Sequence, residues 1–358
     1  MKKRNILLLS AAACVIAGLI LAATGWIAGG GNGFYIDRTG THVYGTEPMQ
    51  EGKKRLDKFQ NIELDLPGVT VTFTASDHYG IEYSLSPSIK IKQMESLDGT
   101  LYVKSDSSHF FRLNFFSTQI QESTVQIFYP VGLQFNRITA NISTGSINGS
   151  EIHAETVDLR LSSGNLSMEK LSAGEIKIGI TSGAVKLSDT KAKDISITNS
   201  SGKVELSNGE FSGTMTVKST SGNIALEGVF AEEMVLGITS GDIKLLDCRT
   251  EELFSEQSSG NLYADRMETD GITCRITSGK AVISGSLRGK NKISVTSGNI
   301  ECTTDRPESE YSYTVKKTSG NFRVNGEKAE SSINSGSQNT FQIDMTSGNV
   351  SLNFDAEE

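Results

Sequence analysis

"TSGDIKLLD" occupies residues 239–247, and close variants recur along the chain: "TSGAVKLSD" at 181–189, "TSGNIALEG" at 220–228 and "TSGNVSLNF" at 346–354. The shared core is two hydroxyl residues followed by a glycine. Its glycines are Gly145, Gly164, Gly183, Gly202, Gly222, Gly241, Gly260, Gly279, Gly298, Gly320 and Gly348, eleven copies in all. Successive spacings are 19, 19, 19, 20, 19, 19, 19, 19, 22 and 28 residues. A register held for about 200 residues marks a repeat protein, and every other reading of the chain depends on it.

Alignment on the glycines shows what the period carries. Two residues after the glycine stand Ile147, Leu166, Val185, Val204, Ile224 and Ile243 in successive copies, and five before it stand Leu159, Ile178, Ile197, Val217 and Leu236. The column four before the glycine is polar, with Arg160, Thr198, Lys218, Arg275, Lys316 and Asp344. Alternation of period two on both sides of a turn predicts two short half-buried strands per repeat. No helix-period stripe appears in the repeats. Such strands, recurring without helical crossovers, stack as a parallel β-solenoid (β-helix) of about eleven 19-residue coils. The glycines are expected at corners that need positive φ, with the preceding Ser or Thr bonded to the turn's own backbone. Asn follows the glycine in six copies and is expected to hydrogen-bond along the stack.

The chain opens Met-Lys-Lys-Arg and then runs to Asp37 without a charged residue. Within that span, Ile6 to Ala28 is an apolar run of 23 residues, long enough as a helix to cross a bilayer core. The expectation is an uncleaved anchor at 1–28, its basic start cytoplasmic by the positive-inside rule and its body extracellular. A cleaved signal peptide is the alternative, but its apolar core is ordinarily shorter. A lipoprotein reading needs a larger aliphatic where Ala11 stands, three residues before Cys14.

Net charge is −8. The first four residues hold three of the 34 bases and no acid, so the rest of the chain carries 42 acids against 31 bases. That balance argues against nucleic acid as a partner, and against simple attraction to anionic lipid or wall polymers. Four cysteines exclude a disulfide-rich scaffold. Cys248, Cys274 and Cys302 fall on apolar columns and are read as buried thiols.

Residues 29–58 read as a glycine-rich, then charged, linker. Residues 59–140 alternate strongly without the triplet and read as an amino-terminal β cap. The repeats with a carboxy-terminal cap fill 141–358. "HFFRLNFF", inside the cap, offers Phe110, Phe111, Phe115 and Phe116 either as a plug for the open end of the core or as a docking patch for lipid or a partner. The two long spacings place inserts at 303–312 and 325–340, expected as loops on one side of the rod, either a binding face or tolerated excursions.

The basic start, the anchor ending "GWIAGG", the strand-rich cap and the "TSGxIxL" coils together resemble the bacterial "putative adhesin" family, a domain of unknown function found mostly in Gram-positive bacteria. The resemblance spans residues 1 to about 352. It implies a β-solenoid outside the cell, sometimes associated with envelope-stress regulation, and it transfers no catalytic residue. The residues themselves favour a membrane-anchored, non-catalytic structural or interaction module. They hold no nucleophile elbow, phosphate loop, calcium repeat or metal-spaced Cys/His set, so neither an enzyme nor a cofactor is expected. A polysaccharide-active β-helix enzyme is the alternative, and would need carboxylates clustered on one face. Ice binding would need a flat double row of Thr, which the single column two before the glycine does not supply.

Overall fold

The computed structural model describes residues 14–20, 23–24, 34–37, 40–43, 48–106, 111–113 and 122–355. The apolar start is helical over 14–20, and no helix among the described residues is long and apolar enough to cross a membrane. Residues 23–24 are also helical, and the remainder of the expected anchor lies outside the described residues.

The described residues from 61 onwards form a mainly parallel β-solenoid with antiparallel strands at its ends. Around Gly183, one coil pairs with the next along three runs: 175–180 with 194–199, 185–188 with 204–207, and 191–192 with 210–211. Each coil therefore has three sides, where the alternation predicted two. The third side is too short to alternate, so the sequence shows it only as one further apolar column and not as a strand. Its buried column seven after the glycine holds Ile152, Leu171, Val229, Cys248 and Met267. With Ile176, Ile178 and Ile180 from the first side and Val185 and Leu187 from the second, these side chains fill a continuous core along the rod.

Two corners shape the coil. At the first, all eleven triplet glycines have positive φ, from +101° at Gly320 to +148° at Gly298. Stacking adds a second constraint: a Cβ on Gly241 would lie 1.7 Å from the carbonyl oxygen of Gly222 in the coil below. Only glycine meets both demands. At the second corner, six residues further on, Glu151, Lys170, Asp189, Asn208, Asp247 and Arg266 have φ between +50° and +57°. Ordinary residues hold that angle there, and their side chains pair along the stack, as Lys170 does with Glu151 and Asn208 with Asp189. The amide ladder forms as expected. Asn165 Oδ1 accepts the Ala184 N–H at 3.1 Å, Asn223 accepts Asp242 N–H at 3.0 Å, and Asn299 accepts Asn349 N–H at 3.0 Å.

Both ends depart from sequential stacking. The coil of Gly348 pairs with that of Gly298 on one side and with that of Gly320 on the other. The last coil in sequence thus lies one place inside the end, and 311–324 is outermost. At the other end, 61–68 pairs with 137–144 on one side and 100–104 on the other, and 70–76 lies between 147–149 and 124–130. The outermost rung there is built from Thr100–Asp106 and Thr124–Pro130. Antiparallel strands cover each open edge: Lys90–Leu97 and Gly80–Leu85 at one end, Glu327–Lys328 and Ser332–Ile333 at the other.

The two inserts are consequently not loops on one side. Residues 303–310 carry the chain past one rung, through a 3-10 turn at Glu308–Glu310, and 325–338 fold over the outer edge before the chain returns inside. Aromatics close the core at this end, with Tyr311 5.2 Å from Phe341 and Tyr313 5.8 Å from Phe322 between ring centres. At the amino-terminal end Ile81, Leu85 and Ile89 are buried, and Phe135 packs on Tyr129 and Phe59. Phe111 begins a short strand paired antiparallel with 34–36; Phe110, Phe115 and Phe116 lie outside the described residues.

Candidate functional site

The first side of the coils presents four outward columns, at eight, six, four and two residues before the glycine, and the last three line the trough. Over seven coils, from that of Gly145 to that of Gly260, this side is hollowed into a trough of about 1000 Å³. A smaller hollow of about 330 Å³ continues on the same side near the carboxy-terminal end, around Lys316, Lys317, Thr318 and Thr346.

Two glycines widen the trough. Gly179 and Gly237 occupy the column four before the glycine, in mid-strand and with ordinary φ. A Cβ at either would find its nearest neighbour at 3.6 Å, an ordinary contact. Neither packing nor backbone geometry requires glycine, and glycine weakens a strand interior. Their effect is the absence of a side chain on the trough floor.

The triplet's hydroxyls edge the trough. Both hydroxyl residues are exposed in all eleven coils. Thr144 and Ser319 do donate to backbone carbonyls, of Pro67 at 3.2 Å and Thr346 at 3.3 Å, but in neighbouring coils rather than in their own turn. The expected role of the triplet's side chains within the turn is therefore replaced by display: the turn is secured by the glycine and by stacking.

Charge is distributed unevenly around the coil. The three trough columns carry Arg160, Lys177, Lys218, Arg275, Lys292 and Lys316, against Asp158, Glu256 and Asp344, while the column eight before the glycine, at the far edge of the same side, carries Arg137 and Lys290 against Glu175, Asp194, Glu233 and Glu252. Arg160 pairs with Asp158 at 3.1 Å and Lys177 with Glu175 at 2.7 Å. Among the described residues, Lys218, Arg275, Lys292 and Lys316 have no ion pair. The second corner and third side differ. There Lys170 pairs with Glu151 at 3.1 Å, Lys191 with Glu210 at 2.7 Å, and Arg288 with Asp270 at 2.8 Å. Hydrogen bonds from Arg266 hold the Asp247 carboxyl below its usual range, and Glu151 raises the Lys170 ammonium. Lys170, Lys191 and Arg288 are each neutralised by a neighbour one coil away.

The titratable groups singled out in the sequence do not converge on the trough. Cys248, Cys274 and Cys302 are buried and unpaired. Burial raises all three thiols, Cys274 to about 12. His78 contacts Asp77 at 2.6 Å in the amino-terminal cap. No group of three or more His, Cys, Asp or Glu among the described residues could hold a metal ion. The trough was missed in the sequence, although its signal was present: glycine twice in a strand column, and bases outnumbering acids in columns that face one way.

A long three-sided β-solenoid with one hollowed, hydroxyl-edged side defines the class. The Toastrack DUF4097 family model matches residues 59–227 and again 212–353, and the chain belongs to that family. The chain is similar to several solved structures. A "putative adhesin" from Bacteroides fragilis is 14% identical, with 73% of this chain and 100% of that one covered and a TM-score of 0.37. A "putative adhesin" from Parabacteroides distasonis is 15% identical, covering 87% and 99% at a TM-score of 0.39. A "putative lipid binding protein" from the same organism is 12% identical, covering 87% and 98% at 0.38. No curated protein matches the chain.

Proposed function

We propose that the chain is a non-catalytic, adhesin-like interaction module of the cell envelope. In this reading residues 1–28 anchor it in the membrane with the amino terminus cytoplasmic. Residues 29–58 form a linker, and the cap (59–140) and the solenoid (141–358) stand outside the cell. The apolar run Ile6 to Ala28 and the bases at Lys2, Lys3 and Arg4 support the anchor and its orientation. The observation that carries the interaction reading is the trough: glycines that packing does not require, exposed hydroxyls on its edge and cations without partners, all on one side. Phe110, Phe111, Phe115 and Phe116 are retained as a second proposed contact.

The test is a photo-cross-linking residue placed in the full chain at Thr198 or Thr220, on the trough, and at Glu210, on the third side. In intact cells the trough positions are expected to yield a partner adduct and Glu210 none. Adducts from Glu210 alone, or glycan cleavage by the purified chain, would overturn the reading. Protease added to intact cells lacking an outer barrier is expected to remove the body; full protection of the body would refute the orientation.

A further inference from the structure

We infer that the occupant of the trough side is a linear acidic polysaccharide, lying along the rod with its carboxylates on the unpaired cations and its hydroxyls against the Ser and Thr columns. The inference rests on the interaction reading and names the partner's chemistry.

Three observations converge. First, the chain is acidic as a whole, yet the three columns that line the trough side carry six bases against three acids. Net charge therefore misdirects the sequence argument against anionic partners, because a polymer meets one side of a rod and not its average. Lys218, Arg275, Lys292 and Lys316 have no ion pair among the described residues, so no protein carboxylate must be displaced to admit a ligand.

Second, the spacing is sparse and linear. Arg160, Lys177, Lys218, Arg275, Lys292 and Lys316 are separated by one, two, three, one and two coils in the stacking order. At roughly 4.8 Å per coil this is a cation every 5 to 14 Å or so along the axis. A polymer with one carboxylate per sugar, or fewer, matches such a row. Duplex DNA, with about one charge per 1.7 Å, does not.

Third, the surface between the cations is hydroxyl-rich and nearly free of large apolar groups. Only Val235 and Phe254 interrupt the outward columns between Gly222 and Gly260, and both are half-buried. A lipid surface or an apolar peptide finds no seat there. Hydroxyls that both donate and accept suit a partner that carries hydroxyls at every unit.

The experiment uses the full chain in neutral detergent and measures retention on immobilised polygalacturonate, with dextran and a DNA duplex as comparisons. Salt-sensitive retention on polygalacturonate is expected, with little on dextran or DNA. Lys218→Glu, Arg275→Glu and Lys292→Glu together should weaken it about tenfold or more. The control triple Lys186→Glu, Lys244→Glu and Arg323→Glu makes the same change in net charge on the second side, and should stay within about twofold of the parent. The neutral triple Lys218→Gln, Arg275→Gln and Lys292→Gln gives the same loss in direction if the charge-reversed chain folds poorly. Absence of retention by the parent, equal loss in both charge-reversed triples, or stronger retention on DNA would each overturn the inference. If polygalacturonate fails while trough cross-linkers still capture a partner in cells, the polymer falls and the interaction reading stands. If both fail, both fall.

Discussion

Between Gly145 and Gly298 each coil lies on the one that precedes it in the chain; at the two ends of the rod that order inverts. The difference shows what a repeat cannot do for itself. An identical coil added in sequence would leave an open strand edge, and an open edge is a template for another chain. Placing the sequence-terminal coil one position inside frees the linking segment to fold back over the outermost strand. At the carboxy-terminal end 325–338 does this, and the final strand Asn339–Asp355 is held on both sides instead of fraying. The amino-terminal end uses the same device, with 61–76 inside and Lys90–Leu97 and Gly80–Leu85 outside.

The contrast is tested most severely by one residue. Gly241→Val in a middle coil combines a φ of +129° with a Cβ 1.7 Å from the Gly222 carbonyl oxygen. The expected loss is at least about 3 kcal/mol, read from denaturant midpoints. Gly326→Ala, in the edge-covering segment, has φ +83° and nothing within 4 Å. It should cost only the backbone strain, about 1–2 kcal/mol. Equal losses would mean that stacking does not select the middle glycines.

The next effect separates middle from end by length. Excising 224–242 joins Asn223 to Ile243, equivalent points of adjacent coils, and should give a folded rod one coil shorter. Removing 339–355 takes a similar number of residues but leaves 311–324 without the strand it pairs with. That chain should melt many degrees lower and self-associate, as read by calorimetry and light scattering. A truncated chain as stable as the excised one would show that the inverted order contributes nothing.

How much of this was legible follows from the same contrast. The period, the glycine corner and the inward columns are local and repeated, so eleven copies average out the exceptions and the parallel solenoid can be read directly. The second corner was not read, because Glu151, Lys170 and Asp247 share no side-chain type, only a backbone angle. The inverted ends were not read because Asn299, Asn321 and Asn349 would form the same amide ladder in either order. The trough was hidden by net charge, which sums over sides that point in different directions.

A smaller effect concerns the middle core. Burial raises the Cys274 thiol from 9.0 to about 12. Above pH 9 the unfolded chain releases that proton and the folded chain keeps it. The associated stability is therefore complete below 9.0 and lost as pH rises towards about 12. Urea midpoints should fall across that window, and less steeply in Cys274→Ala. A water-soluble maleimide should label Cys274 and Cys302 only after denaturation. Rapid labelling of the native chain would place them at the surface.

The smallest expected effect is at the second corner. Arg266 Nη2 lies 2.7 Å from Asp247 Oδ2, one coil away, and the pair is well formed. Both side chains are solvent-exposed, at 60% and 49% of full accessibility, so water screens their attraction and ordering two flexible groups offsets it. The Asp247 carboxyl is lowered in the folded chain, so any contribution is present at neutral pH and lost as pH falls through the acid range. Asp247→Asn keeps the shape, and Asn readily adopts the φ of +51° found there. The melt should be unchanged within error, at low and at high salt. Asp247→Val keeps neither the charge nor the tolerance for that φ and should lower the melt. If Asn proves as damaging as Val, the corner is held by its ion pairs and not by its backbone, and the charge ladders of the third side are structural rather than a solvated surface.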